Sequence, residues 1–216
     1  MIVKKLHISK SKKDAGDSMR SFYFMRHGEP DFPEGDSVCL GTEELPLSVA
    51  GVQQSHETAA LFFGMEVSVF SSPRRQAVET ARHFGRMIAI LDDLRERDMG
   101  IFDGKSYSLI RTRYPDLYAL SQRRAMLVPP GGEALEDGKA RFSRAVEFVR
   151  KSCRGDAVIV THADVMELFL GAPAPDYSGF LQVEVNDREE GTGRYRVVRR
   201  IESRMEKDSL WWFRKH

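Results

Sequence analysis

Residues 21–28 read SFYFMRHG. The apolar, aromatic-rich part of this stretch predicts a short buried strand, which stops where Arg26, His27 and Gly28 follow one another. Charged side chains are therefore expected at the carboxyl end of the strand. A second stretch, DAVIVTH at residues 156–162, has the same form, because a continuous apolar run again ends in a histidine.

Helices are expected to alternate with the strands. Ser48 is a typical N-terminal cap, and the helix after it is expected to end near Gly64. Its apolar spacing predicts an inner face made of Val49, Val52, Ala59 or Ala60, and Phe63. A further strand at residues 67–72 leads into a helix that Ser72 and Pro73 begin.

Repeated strand–helix units predict an α/β fold, a three-layer sandwich in which a mostly parallel central sheet is flanked by helices. We place this domain at residues 21–202, between an N-terminal extension at 1–20 and a C-terminal tail at 203–216. Residues 179–185 and 194–198 predict a closing hairpin. Ligands bind at the carboxyl ends of the strands of such sheets. The two strand-end histidines, His27 and His162, should therefore meet at one edge.

Composition excludes several classes of function. The 216 residues contain 33 Lys and Arg against 32 Asp and Glu, so a net charge of +1 gives no bulk attraction to nucleic acid or to a membrane surface. Two cysteines, Cys39 and Cys153, are too few for a disulfide framework, and a cytoplasmic location is expected. Metal-ligand spacing is absent from the sequence, and neither a metal nor another cofactor is expected. The tryptophans of the tail suggest packing against the domain or in a homodimer.

The sequence FMRHGEP at residues 24–30 resembles the RHG signature of the histidine phosphatase superfamily, which also contains the cofactor-dependent phosphoglycerate mutases. The order of further motifs is similar as well, and the resemblance extends from residue 22 to about 170. These motifs are CLGTEELPLSVAG (39–51), SSPRRQAVETA (71–81), LRERDMGIFDG (94–104), PPGGEALED (129–137) and VIVTHADV (158–165). The resemblance implies phosphoryl transfer through a phosphohistidine.

Displacement of an alkoxide from a phosphate monoester needs a nucleophile, cationic donors and an acid at the leaving oxygen. The resemblance assigns His27 as the nucleophile, Arg26 as a phosphate ligand and His162 as a donor to the transferred group. It assigns Glu96 as the proton donor. Carboxyl groups near it that are alternatives for this role are Asp93, Asp98 and Asp103.

Six further residues are candidates for the phosphate or substrate site. Gly28 is expected to allow close backbone approach and an unusual φ. Glu133 matches a family position that lines the site, although it could equally serve only as a carboxylate at a helix N-terminus. The other candidates are Glu29, Arg75, Gln76 and Ala163. Side chains for which solvation or a structural role is expected are Arg123, Arg124, His56 and His83.

Two positions depart from the family pattern. Gln76 stands where the family usually has an arginine of the phosphate pocket, and Thr42 replaces a further common arginine. Either Arg74 or Arg75 could swing in, although adjacent helical residues point about 100° apart. The pocket should therefore be less basic than usual, and hydrolysis should be slow.

The leading hypothesis is a phosphomonoesterase that acts on a small-molecule phosphate and releases inorganic phosphate. A short segment between Glu96 and the PGG turn favours a phosphatase over a mutase, because the mutases carry a longer insertion there. The CLG…LPLS stretch is also similar to that of α-ribazole phosphatases. The alternatives are phosphoglycerate mutase-type transfer and a non-catalytic module that binds a phosphate ligand.

Overall fold

The computed structural model describes residues 19–33, 36–121, 127–189 and 194–203. Within these ranges the strands are β1 (Met19–Arg26), β2 (Val67–Ser71), β3 (Ile88–Ile90), β4 (Asp156–Thr161), β5 (Phe180–Asn186) and β6 (Tyr195–Ile201). The α-helices of the same ranges are α1 (Val49–Ala60), α2 (Arg75–Arg82), α3 (Tyr107–Arg113), α4 (Pro115–Ser121), α5 (Leu135–Ser152) and α6 (Ala163–Leu170).

The strands form one mixed sheet in the order β3-β2-β4-β1-β5-β6. The strands from β3 to β1 are mutually parallel, whereas β5 is antiparallel to β1 and β6 is antiparallel to β5. Helices α5 and α6 pack on one face, and α2 packs on the other. The predicted α/β sandwich and its closing hairpin are therefore confirmed.

Strand β1 is buried on both faces, as expected for a central strand. Phe22 and Phe24 point into the cluster formed with α5 and α6, whereas Tyr23 and Met25 point into the cluster formed with α2. Burying each such side chain contributes about 1.5–3 kcal/mol. The strand that delivers the first histidine is thus anchored from both sides.

The register of β1 and β4 brings the two strand-end histidines together. Arg26 pairs with Thr161 across the two parallel strands, so His27 and His162 are the next residues at the same edge. The backbone N–H of His27 donates to the Thr161 carbonyl at 3.0 Å. The expected convergence of the two histidines is confirmed.

Helix α1 differs from the sequence expectation, because it buries a polar face. Val49 and Phe63 are 89% and 95% exposed, and α1 itself ends at Ala60. The buried residues of the helix include Gly51 and Ser55. A Cβ at Gly51 would overlap the backbone of Glu29, so α1 packs directly on the loop that follows β1. Small and polar side chains fit that contact. The predicted inner face is wrong for Val49, Val52 and Phe63, which are exposed, whereas Ala59 is buried as predicted.

The irregular middle of the chain packs as a separate cap with its own small core. This core contains Cys39, Phe102, Ile110 and Leu127, which come from the loops and α3 around that segment. Burial raises the pKa of the Cys39 thiol to about 12. The short strand β3, which precedes this segment, had not been predicted because three residues carry little periodic signal.

The domain edges lie slightly outside the predicted ones. β1 begins at Met19, and the buried side chain of Arg20 donates to Asp187 at 2.9 Å. Met19 and Arg20 both lie within the predicted N-terminal extension. Ser203, assigned to the tail, is buried. Most of the extension, both tryptophans of the tail and the pair Arg123 and Arg124 lie outside the described residues. None of the described helices is long and apolar enough to span a membrane.

Candidate active site

His27 is held as a neutral imidazole with one defined tautomer. Its Nδ1 lies 2.8 Å from the carbonyl oxygen of Gly28, which can only accept a hydrogen bond. Nδ1 therefore carries the hydrogen, and the lone pair lies on Nε2. Burial and the nearby charge of Arg26 lower the pKa of His27 to about 3. The ring has the form that a nitrogen nucleophile needs at neutral pH.

His162 is the second buried histidine and precedes the first residue of α6. Its ring centroid lies 5.0 Å from that of His27, and its Nε2 lies 2.8 Å from Ser72 Oγ. Burial and the charges of His27 and Arg74 hold the pKa of His162 well below its usual range. Its Nδ1 is buried and has no hydrogen-bond partner among the described residues. That atom is available to a ligand.

Glu96 lies at the N-terminal end of α6 with its carboxyl group buried. Its Oε1 accepts from the N–H groups of Arg97 and Val165 at 2.9 and 3.1 Å, and its Oε2 accepts from Asp164 at 3.0 Å. Burial and the Asp164 charge raise the pKa of Glu96 to about 8 despite these three bonds. Oε2 accepts only one N–H, so the proton of the neutral acid is best placed there.

Unpartnered polar atoms mark the space around the two histidines. Buried polar groups ordinarily have hydrogen-bond partners. Eight buried side-chain atoms in the described ranges lack one, and five of them belong to four residues near His27. These atoms are Arg26 Nε, Arg74 Nε, Gln76 Nε2, Gln76 Oε1 and His162 Nδ1. A set dominated by N–H donors suits an oxyanion.

Gln76 belongs to this set because of the way α2 packs on the end of β1. Thr80 Oγ1 donates to the Gln76 carbonyl at 2.8 Å and accepts from the N–H of Gly28 at 2.8 Å. The Gln76 side chain is fully buried. The first turn of α2 is thereby fixed against the residue that follows His27.

Arg26 is held beside His27 by an aromatic ring. The guanidinium carbon of Arg26 lies 3.8 Å from the centroid of the Tyr177 ring, and that ring lies 5.6 Å from the ring of His27. Arg26 Nη1 also donates to the Pro175 carbonyl at 3.4 Å. The stack fixes a cation next to the neutral imidazole.

The sequence profile of the histidine phosphatase superfamily (branch 1) matches residues 22–184, a range that contains every site residue described above. The chain belongs to the histidine phosphatase superfamily. Its two strand-end histidines, His27 and His162, are thereby placed within the family match. The individual roles that the sequence predicts for the site residues stay predictions.

Two Arabidopsis thaliana relatives illustrate the similarity. Phosphoglycerate mutase-like protein 4 is 31% identical over 152 residues, which cover 66% of this chain and 66% of that protein. Metal-independent phosphoserine phosphatase is 28% identical over 152 residues, with 66% and 63% covered. The chain spans 45% of the length of the Mycobacterium relatives that it matches. A solved mycobacterial glucosyl-3-phosphoglycerate phosphatase shares the fold, with a TM-score of 0.71, 20% identity and coverage of 86% of this chain and 99% of that one.

In this member of the histidine phosphatase superfamily, Gly28 is required for close packing. A Cβ there would lie 2.5 Å from Ser55 Oγ and 2.7 Å from the Gly51 carbonyl oxygen. The expected close approach is confirmed, but the expected unusual φ is wrong, because Gly28 is not among the residues with positive φ. Its N–H donates to Thr80 and is not free for phosphate.

Two predicted phosphate ligands are engaged elsewhere. Arg75 is 55% exposed on its side chain, and its Nε donates to Glu79 at 2.8 Å. Arg75 precedes the buried Gln76 on the helix and points about 100° away from it. The Glu29 carboxylate accepts from Ser48 Oγ at 3.1 Å, beside the start of α1. Both side chains are thus bonded to other residues of the chain, and their assignment to the phosphate site stays a prediction.

The carboxylate of Glu133 is paired with a buried arginine. Its carboxylate accepts from the guanidinium of Arg141 at 2.6 and 2.9 Å. Arg141 in turn donates to the carbonyl oxygens of Asp93 and Arg95 at 2.9 and 2.8 Å, in the segment that leads to Glu96. Glu133 therefore fixes Arg141 against the segment that leads to Glu96.

The alternative carboxyl groups are each occupied. Asp93 pairs with Arg144, Asp98 accepts from the N–H of Gly100, and Asp103 accepts from several backbone N–H groups. Ala163 is the first residue of α6, next to His162. The rings of His56 and His83 lie 6.1 Å from each other, between α1 and the end of α2.

The sequence did not predict the parts that Tyr177 and Asp164 play. Tyr177 lies in the loop between α6 and β5, where the sequence indicates only a turn. Nothing in that stretch of sequence predicts that its ring would stack on Arg26. Asp164 was visible as an acidic residue directly after the strand-end His162, which is a signal that could have been used. No group of three or more potential metal-ligating side chains occurs in the described ranges.

Proposed function

We propose that the protein is a phosphomonoesterase that hydrolyses a small-molecule phosphate through a phosphohistidine at His27. The observation that carries this proposal is the convergence of two buried histidines at one sheet edge: His27, whose Nδ1–H donates to the Gly28 carbonyl and whose Nε2 bears the lone pair, lies 5.0 Å from His162 between ring centroids. Glu96, whose pKa burial raises to about 8, accepts from the first turn of α6, which follows His162. Buried donors without partners complete the site. Family membership supports the proposal, as do the phosphatase activities named for two similar proteins.

In the first step, Nε2 of His27 attacks phosphorus, and the bond between phosphorus and the ester oxygen breaks. The Glu96 proton passes to the departing alkoxide, which leaves as an alcohol. Arg26 and His162 hold the non-bridging oxygens and stabilise the charge of the transferring group. The products of this step are a phosphohistidine and a Glu96 carboxylate.

In the second step, water attacks phosphorus, and the bond between phosphorus and nitrogen breaks. The Glu96 carboxylate accepts the proton of the attacking water and returns to its neutral form. Inorganic phosphate leaves, and His27 is again a neutral imidazole. The sum of both steps is hydrolysis of the monoester.

The protonation state of Glu96 favours an enzyme over a module that only binds phosphate. Burial and the Asp164 charge raise the pKa of Glu96 so that it can hold a proton near neutral pH, which anion binding alone does not require. Perturbed carboxyl groups of this kind are typical of proton-transfer sites. The short segment after Glu96 favours hydrolysis over mutase-type transfer.

A generic aryl phosphate tests the proposal. The wild-type protein should release phosphate from it, and His27→Ala should lose turnover while the fold is kept, as judged by circular dichroism. His56→Ala is the matched control, because that histidine lies between α1 and α2 and should retain activity. Substrate-derived label should map to His27. Full activity of His27→Ala, or label on another residue, would contradict the proposal.

A further inference from the structure

The site has a shortage of positive charge that one neighbouring residue can relieve. Both histidines are neutral and Gln76 carries no charge, so Arg26 faces the phosphoryl group alone. The nearby buried arginines are already engaged, because Arg141 pairs with Glu133 and Arg97 pairs with Asp164. A transferring phosphoryl group spreads negative charge over several oxygens and is stabilised by more than one cation.

The backbone of Arg74 is linked to His162 by two hydrogen bonds through Ser72. Its backbone N–H donates to Ser72 Oγ at 3.3 Å, and the same oxygen lies 2.8 Å from His162 Nε2. The Arg74 charge is among the causes that lower the pKa of His162. The side chain is 20% exposed, and its Nε is buried without a partner.

The contact of Arg74 with Glu44 is weak. Its Nη1 lies 3.5 Å from Glu44 Oε1, whereas charge-assisted bonds of this type are ordinarily about 2.7–2.9 Å long. Glu44 is itself exposed, and exposed ion pairs contribute little to stability. The adjacent Arg75 differs, since it is bonded to Glu79 at 2.8 Å.

We propose that Arg74, together with the buried amide of Gln76, forms the second half of the phosphoryl-binding site, and that Glu44 holds Arg74 only while the site is empty. The oxyanion would take Nε and one Nη of Arg74 and the Nε2 donor of Gln76. Glu44 then acts as a competing anion that a bound phosphoryl group displaces. This inference rests on the proposed function, because it requires that the site takes a phosphoryl group.

Two observations support the assignment independently. The Arg74 Nε is an unsatisfied donor, and a guanidinium binds oxyanions best through two parallel N–H groups. Gln76 has both amide atoms buried and unpartnered on the same turn of chain, so it too is directed toward a space that a polar group fills. Neither observation depends on the pairing of Arg74 with Glu44.

Inorganic phosphate is the probe that tests the proposal, with binding measured by isothermal titration calorimetry so that no turnover is needed. Arg74→Ala should weaken phosphate binding about tenfold or more. The affinity of Arg74→Lys should lie between those of the wild type and the alanine variant, because lysine keeps the charge but lacks the two parallel N–H donors of the guanidinium. Arg75→Ala is the matched control and should change the affinity less than about twofold. Glu44→Gln should tighten binding severalfold.

Equal affinities of Arg74→Ala and Arg75→Ala would overturn the proposal, as would an unchanged affinity in Glu44→Gln. Thermal unfolding of each variant shows whether it is folded. If Arg74→Ala does not fold, the affinity of Arg74→Lys still tests the proposal. Failure of the proposed function would look different. In that case the wild type would bind phosphate without hydrolysing the aryl ester, and the affinities of the Arg74 variants would still be readable.

Discussion

The N–H of Asp164 donates to Glu96 Oε2 at 3.0 Å, while the carboxylate of the same aspartate raises the pKa of Glu96. One residue thus supplies both a bond that orients the proposed acid and a charge that keeps it protonated. Asp164 is held in place by Arg97 Nη2 at 3.3 Å. The ionisation of Glu96 therefore depends on the charge of Asp164, which Arg97 holds in place.

We expect the activity to have an alkaline limit set by Glu96. Its pKa of about 8 means that the acid form is present below that pH and is lost above it, whereas His27, with a pKa of about 3, is neutral throughout. Asp164→Asn removes the negative charge that raises the pKa of Glu96, so that pKa should fall. The alkaline limb of kcat/KM against pH should move to lower pH.

The wild type and Asp164→Asn act on the same substrate, whose ionisation affects both pH profiles equally. A shift of the alkaline limb between the two profiles therefore arises from the enzyme. A profile measured with the same aryl phosphate for the wild type and for Asp164→Asn gives the comparison. A limb that stays in place or moves to higher pH would show that Asp164 does not control the acid.

Gln76→Arg should raise kcat/KM. A neutral amide donates a hydrogen bond but supplies no net charge, and removing one preorganised donor typically costs a factor of about 10² to 10³ in rate. Because the proposed role of Arg74 restores part of that rate, we expect Gln76→Arg to raise kcat/KM about tenfold and to tighten the binding of inorganic phosphate. Gln76→Glu is the opposite variant and should abolish activity through repulsion. If Gln76→Arg changes neither kcat/KM nor the affinity for inorganic phosphate, the prediction that Gln76 slows hydrolysis fails.

Gly28→Ala should disturb both stability and catalysis. The new Cβ would meet Ser55 Oγ at 2.5 Å and the Gly51 carbonyl oxygen at 2.7 Å, and overpacking of this kind costs about 1–3 kcal/mol. The shift would displace the carbonyl group that orients His27, so kcat should fall more than KM rises. Urea unfolding and steady-state kinetics measure the two effects. Gly155→Ala, which meets nothing within 4 Å, is the control and should be close to neutral.

Glu133→Gln should lower stability by about 1–3 kcal/mol, because it leaves the buried Arg141 without its carboxylate. Although burial raises it, hydrogen bonds from Arg141 hold the pKa of Glu133 below its usual range. The stability that Glu133 contributes is therefore present above the unfolded-state pKa and is lost as the pH falls through the lower, folded-state value. Unfolding free energies measured from pH 7 downward should fall less steeply in the variant. An equally steep decline would show that the ion pair is not the cause.

The strand-end positions of His27 and His162 could be predicted because parallel strands bring their carboxyl ends to one edge. The inner face of α1 could not, since apolar spacing says nothing about a helix that packs on the backbone near Gly51. The choice between Arg74 and Arg75 was also beyond the sequence. It depends on where the first turn of α2 begins relative to the sheet, and a rotation of one residue exchanges the inward and outward side chains.

Strand β5 runs against β1, and this reversal has a consequence for how the site can diversify. Phe180 at the start of β5 pairs with Met25 near the end of β1, so the loop before β5 arrives beside the nucleophile. A parallel strand would have carried that loop to the opposite edge. Tyr177 therefore lies in the loop before β5, outside the sheet, and contacts Arg26. Exchange of that one residue changes the contact that holds Arg26 beside His27 and leaves the paired strands unchanged.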